Sequence, residues 1–251
     1  MDDEQELAGG NASGGVVRIG STVRKPWTES TPSVLAFMAA VRVKDGVDVP
    51  AVFDPDDQGR QVLEFIPGQL ALEAEPLTRA ELHRVGGMVR AIHDACESYV
   101  PAPDASWTTA IPAPGDELIC HNDLAPWNLI LGERWVFIDW DAAAPSTRLW
   151  DLAYAAQSFT LSNTRQDPRE AAKNLAAFVD GYGADRELRE HLPEALHRRA
   201  AAMYRLLKTS HDAGREPWGS MYGQGHGDHW QGATRYALRH RALWSEVLLR
   251  P

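Results

Sequence analysis

Apolar residues recur at helical spacing through "TPSVLAFMAAVRV", residues 31–43, at Val34, Leu35, Met38 and Val41. Pro32 suits the first turn of that helix. On either side the period shortens. "VVRI" and "TVRK", separated by Gly20-Ser21, read as a hairpin. "VPAVFD" and "GRQVLEFIPG" read as two further strands joined by the turn-rich "DPDDQG". The pattern therefore predicts a small, mostly β unit with one helix, ending near Gly68.

Beyond Gly68 the pattern is helical. Thr78 and Glu81 form a capping box, and Leu82, Val85, Val89 and Ile92 share one face of the helix that follows. A Pro-rich connector, "VPAPDASWTTAIPAPGDE", leads to "ICHNDLAPWNLIL", residues 119–131. "RWVFIDWD" predicts a short strand. Helices are expected near 147–160, 169–182, 187–209 and 230–248, with "DAGREPWGSMYGQGHGDHW" as a glycine-rich loop before the last. There is no internal repeat. The expected class is α+β: a small front, 1–68, and a larger, mainly helical back, 69–251, with a cleft between them.

At 251 residues the chain can bury a sizeable core. Its 25 basic against 35 acidic residues give a net charge of −10, which argues against nucleic acid and anionic membranes as partners and is compatible with a cationic substrate. No run of about 18 apolar residues predicts a membrane span. "MDDEQELAGG" lacks the apolar core of a signal peptide. Cys96 and Cys120 fit no metal or disulfide spacing and read as reduced, buried thiols, so a cytoplasmic location is expected.

The candidate chemistry lies in "HNDLAPWN" and "FIDWD". Asp123 and Asn128 are five apart around Pro126, so the segment turns and is not a helix. Asp139 ends the β-type run eleven residues after Asn128. A carboxamide and a carboxylate that converge are hard oxygen ligands suited to Mg²⁺. A second carboxylate, Asp123, can take a proton from an attacking hydroxyl. Those are the parts of phosphoryl transfer, which needs positioning and charge neutralisation.

"HNDLAPWN" resembles the catalytic loop His-x-Asp-x-x-x-x-Asn of the aminoglycoside phosphotransferase and choline kinase-like family. "FIDWDAAAPSTRLWDLA" resembles that family's metal-binding segment. The resemblance implies a two-lobed protein-kinase-like fold, ATP and Mg²⁺ as cofactors, and a small-molecule hydroxyl as acceptor. It implies Asp123 as catalytic base, Asn128 and Asp139 as Mg²⁺ ligands, His121 as a brace of the loop, and Asp151 as a buried carboxylate accepting from the loop backbone. On the nucleotide side, Arg24 and Lys25 point to opposite faces of a strand, so only one reaches the phosphates; the resemblance favours Arg24. Backbone groups of Glu64 and Ile66 are expected to contact adenine. The family's usual helix glutamate has no counterpart, since residues 31–44 contain no acid. "GGNASGG", residues 9–15, is a weaker candidate for a phosphate cradle.

Several polar residues stay outside this reading. His226, Asp228 and His229 in "GHGDHW" read as a mobile polar loop, with a substrate-contacting loop as the runner-up and a His/Asp metal hydrolase as a third idea. His93 reads as a satisfied core histidine. Asp141 either touches the site or is a solvated acid. Trp127 and Trp140 belong to the motifs, and Trp218, Trp230 and Trp244 lie where a substrate pocket is expected. Two functions compete: an ATP-dependent small-molecule phosphotransferase, and a non-catalytic kinase-like nucleotide-binding or immunity protein. The oligomeric state is not encoded in any of these features.

Overall fold

The computed structural model describes residues 4–7 and 15–250, so positions 9–14 of the glycine-rich stretch lie outside the described residues. Strands β1 (Gln5–Glu6), β2 (Val17–Ile19), β3 (Thr22–Lys25), β4 (Val52–Phe53) and β5 (Gln61–Glu64) form one antiparallel sheet in the order β1-β2-β3-β5-β4. The predicted hairpin pairs Ile19 with Thr22 across Gly20-Ser21. Helix α1 (Thr31–Arg42) carries Pro32 in its first turn and buries Val34, Leu35, Phe37, Met38 and Val41. Phe37 lies 5.8 Å from Trp140 of the "FIDWD" segment, so this face packs onto the back of the molecule.

The chain passes from front to back through Pro67-Gly68. Strand β6 (Gln69–Leu70) pairs with β8 (Leu129–Leu131), which pairs with β9 (Trp135–Phe137). Gly68 has φ +151, and a Cβ there would lie 2.5 Å from the Leu131 carbonyl oxygen. Only glycine allows both the backbone angle and the approach.

Helix α2 (Arg79–Cys96) begins with the full Thr78–Glu81 capping box. Its apolar face packs against α4 (Pro168–Tyr182). Cβ atoms on Gly86 and Gly181 would sit 2.0 Å from the Phe178 carbonyl oxygen and 1.9 Å from that of His83. The two helices therefore cross with their backbones nearly touching. Between them in sequence run β7 (Leu118–Cys120), paired with β10 (Ala144–Ser146), and α3 (Arg148–Ala156), which continues as a π-helical turn to Leu161. Helices α5 (Arg186–Asp212), α6 (Trp218–Met221), α7 (Gly227–Arg239) and α8 (Arg241–Leu248) complete the back.

The expected loop over 212–230 is therefore mostly helical: α6, a π turn over Tyr222–His226, and the start of α7. Met221 and Trp230 are buried against Ala200, Met203 and Leu207 of α5. That burial outweighs the low helix propensity of the glycines. The Pro-rich connector clasps the front: the Ser106 N–H donates to Ser33 Oγ at 2.9 Å, and Thr108 Oγ1 bonds Ser30 Oγ at 3.2 Å. One core runs from Val34 and Phe37 through Trp140 to Phe178 and Trp244. Cys96 and Cys120 are free and buried, and burial pushes both thiols up, Cys96 to about 12. No helix among the described residues is long and apolar enough to cross a membrane.

Candidate active site

The β8–β9 hairpin sets the geometry. Its register pairs Leu129 with Phe137, and beyond that pair the Ile138 N–H donates to the Asn128 carbonyl at 2.8 Å. Asn128 and Asp139 thus stand at the same end of the hairpin. A 3₁₀ turn over Pro126–Asn128 brings the preceding loop round. Asn128 Nδ2 donates to the Asp123 carbonyl at 2.9 Å and to Asp123 Oδ2 at 2.7 Å. Trp127 Nε1 adds a 3.4 Å contact to the same carboxylate oxygen. Asp123 and Asn128, five apart, are in direct contact, and Asp139, eleven further on, stands at the same end of the hairpin, near enough to Asp123 to act on its charge.

Two residues bend the backbone to permit this. Asn122 (φ 63) and Asp139 (φ 59) adopt the left-handed conformation without being glycine. Asn122 offsets the strain locally, its Nδ2 lying 3.2–3.3 Å from the carbonyls of Cys120, Ala142 and Ala144. Asp139 has no such compensation from its own side chain, and strain of this kind is commonly held at functional positions.

His121 is fully buried. Its Nδ1 accepts the Asp123 N–H at 3.2 Å and its Nε2 faces the Ile138 carbonyl at 3.1 Å, so the Nε2-protonated neutral ring satisfies both. Burial pulls its pKa down, favouring that neutral form. It spans the loop that carries Asp123 and the residue before Asp139. Beneath the loop lies Arg199 of α5, which no motif or spacing along the chain singles out. It is 5% exposed, its guanidinium sits 4.1 Å over the Tyr154 ring, and its Nη2 donates to the Asn122 carbonyl at 3.3 Å. Burial lowers its pKa, the nearby Tyr154, Asp123 and Asp151 working the other way.

The Asp123 carboxyl is pushed up to about 6. Desolvation is the main cause, with repulsion from Asp139 adding to it. Hydrogen bonds from Tyr154, Asn128 and Trp127 oppose the shift. A carboxylate raised in this way is poised to accept a proton near neutral pH.

Of the two basic residues on β3, Lys25 faces the site. Its Nζ lies 2.5 Å from Asp139 Oδ1 and 2.6 Å from Asp141 Oδ2, and the side chain is nearly buried. Burial pulls the Lys25 pKa down, but the two carboxylates more than reverse that, leaving it raised. Arg24 turns to the opposite face, bonding Thr22 Oγ1 at 2.6 Å and pairing with Asp56 at 3.3 Å. Alternation puts the two on opposite faces, and the docking of the sheet over Asp139 turns Lys25, and not the favoured Arg24, into the cleft. The absent helix glutamate also finds its explanation here, because Asp139 and Asp141 balance the lysine.

Asp151 and the "GHGDHW" stretch stand differently from expectation. Asp151, 1% exposed, does not bond the loop backbone; its Oδ2 pairs with His93 Nε2 at 3.1 Å, and His93 Nδ1 meets the Tyr182 hydroxyl at 2.9 Å. α2 runs close behind α3, so its last-turn histidine intercepts the carboxylate. In "GHGDHW", Asp228 and His229 lie in the first turn of α7, and His229 Nε2 contacts Ser162 Oγ at 3.3 Å. At the hinge, the Glu64 N–H is taken by the Ala51 carbonyl and the Phe65 N–H by that of Ser21. The Glu64 side chain serves Arg42, Arg134 and the Ala51 N–H. Ile66 is buried against Ile130 and Val136.

Residues 73–192 match the model described as the phosphotransferase enzyme family. Over that stretch the chain is similar to this family. It is similar to the trifolitoxin immunity protein of Rhizobium leguminosarum bv. trifolii, 28% identical over 210 residues, 75% of this chain and 77% of that one. Among solved structures it resembles a microcompartment-associated aminopropanol kinase, with a TM-score of 0.65 and 14% identity over 99% of this chain and 94% of that chain. An amicoumacin kinase in complex with AMP-PNP, Ca²⁺ and Ami gives 0.63 and 12% over 95% and 88%. The chain thus has the two-lobed protein-kinase-like fold of these structures, with the β1–β5 sheet and α1 as its small lobe.

Proposed function

We propose that this chain is an ATP-dependent phosphotransferase that moves the γ-phosphoryl group to a hydroxyl of a small molecule in the cytoplasm. The observation that carries the reading is the convergence of Asp123, Asn128, Asp139 and Lys25 at the end of one hairpin. The donor chemistry fits Mg²⁺: Asn128 Oδ1 and Asp139 Oδ2 are hard oxygens that make no hydrogen bond among the described residues. When bound there, Mg²⁺ would neutralise charge on the triphosphate.

The chain's own residues do the rest. The Asp123 carboxylate accepts the proton of the acceptor hydroxyl as that oxygen bonds phosphorus. The bond from phosphorus to the bridging oxygen breaks, and ADP leaves with its electron pair. Asn128 Nδ2 holds Asp123 in place. Lys25 orients the phosphates from the small lobe, and Arg24 keeps the strand register from the other face. Adenine would lie against the backbone at the end of β5 and just past it, at Glu64 and Ile66, without using the Glu64 N–H that the Ala51 carbonyl takes, and His121 with Asp151 braces the frame. The name of one structural relative, an aminopropanol kinase, points to an amine-bearing acceptor, which the net charge of −10 also suits.

The test is ADP release across a panel of amino alcohols, amino sugars and vitamins. One substrate should stand out, and Asp123→Ala should abolish its turnover while the melting curve stays cooperative. Full activity in that variant refutes the role of Asp123. The immunity-protein relative favours a second reading, a kinase-shaped protein that binds without transferring. Thermal shift by Mg-ATP with no ADP release for any acceptor would favour it.

A further inference from the structure

A groove of about 450 Å³ opens between residues 110–114 and one face of α5. Ile111, Leu206 and Trp150 form apolar walls, and Arg198, Arg205 and Arg215 stand around it. None of Lys25, Asp123, Asn128 or Asp139 lines it. The groove is therefore separate from the phosphoryl-transfer cluster.

Its polar inventory is one-sided. The three guanidiniums make no hydrogen bond or ion pair among the described residues, and no carboxylate lines the groove. Other cations of the same helix do find acids: Arg186 pairs with Glu190, Arg189 with Asp180 and Lys208 with Asp212. Trp150 adds a buried indole N–H without a partner. Arg198 and Arg205 lie two turns apart on one face of α5, and Arg215 follows just beyond its end. Three like charges around one groove, in a chain with ten more acids than bases, repel one another unless something negative sits between them.

We propose that this groove binds a small molecule carrying two or more oxyanion charges, as carboxylate or phosphate, on an apolar body. Guanidinium forks match either oxyanion in bidentate fashion. Ile111, Leu206 and Trp150 cover the body, and Pro112 and Pro114 extend that apolar wall.

The probes are citrate and pyrophosphate, titrated calorimetrically with EDTA present into the wild-type chain, the double variant Arg198→Gln/Arg205→Gln, and Lys25→Gln. Both arginines are exposed, and a melting curve checks that the double variant folds. One probe should bind the wild type at millimolar or better affinity, lose about tenfold or more in the double variant, and bind Lys25→Gln unchanged. Tighter citrate marks a carboxylate site and tighter pyrophosphate a phosphate site. The proposal is overturned if neither anion binds, if the double variant binds as the wild type does, or if the loss follows Lys25→Gln.

Discussion

The raised pKa of Asp123 yields a prediction that needs no knowledge of the acceptor. Tyr154 donates a hydrogen bond to the Asp123 carboxylate from a buried position, so Tyr154→Phe removes a donor that favours the charged form. A hydrogen bond to a charged group contributes about 1.5–3 kcal/mol. At about 1.4 kcal/mol per pKa unit that is about 1–2 units, and the partial exposure of Asp123 favours the lower end. The assay is ¹³C-carboxyl NMR of the aspartates, with Asp123 assigned from its absence in Asp123→Asn. Wild type should titrate near 6 and Tyr154→Phe about one unit higher. Stability follows with a definite sign. The folded pKa lies above the unfolded value of 3.8, so the folded state binds this proton more tightly and loses that advantage as pH rises through about 6. At pH 8 the ionised Asp123 costs at most about 3 kcal/mol, and about 1–2 after allowing for solvent contact. Asp123→Asn should therefore melt higher than wild type at pH 8, with little difference at pH 4. A wild-type titration near 4, or an Asn variant that melts lower at pH 8, would refute the desolvation argument.

Other outcomes follow from the same geometry. Lys25→Met should lower kcat/KM for the screened acceptor about ten- to a hundredfold, whereas Arg24→Gln should leave it within about threefold; equal losses would contradict the strand alternation. Asp139→Ala should remove the thermal shift given by Mg-ATP, and an undiminished shift would place the metal elsewhere. His93→Leu leaves Asp151 buried without its partner and should destabilise the fold by about 3–5 kcal/mol in denaturant titration. Gly181→Ala drives a Cβ into the His83 carbonyl and should cost several times the Gly-to-Ala propensity gain of about 1 kcal/mol; a stabilised variant would mean that the helices separate freely.

Sequence alone determined what depends on neighbours along the chain. The helical period over Val34–Val41, the Thr78–Glu81 box and the Gly20-Ser21 hairpin are set by local backbone preference and amphipathic spacing, and each appears where it was expected. The motif spacing carried Asp123, Asn128 and Asp139, because a tight turn and a hairpin leave few ways for residues five and eleven apart to sit. Tertiary structure decided the rest. Strand alternation separates Arg24 from Lys25, but which face meets the hairpin depends on how the sheet docks over Asp139. Asp151 meets His93, 58 residues away, and Arg199 reaches Asn122 across 77, through helix packing that no local pattern encodes. Residues 218–230 look like a loop by composition and fold as helix because α5 offers Trp230 and Met221 an apolar surface. Burial against distant partners outweighs propensity there, and it is visible only once the chain is folded.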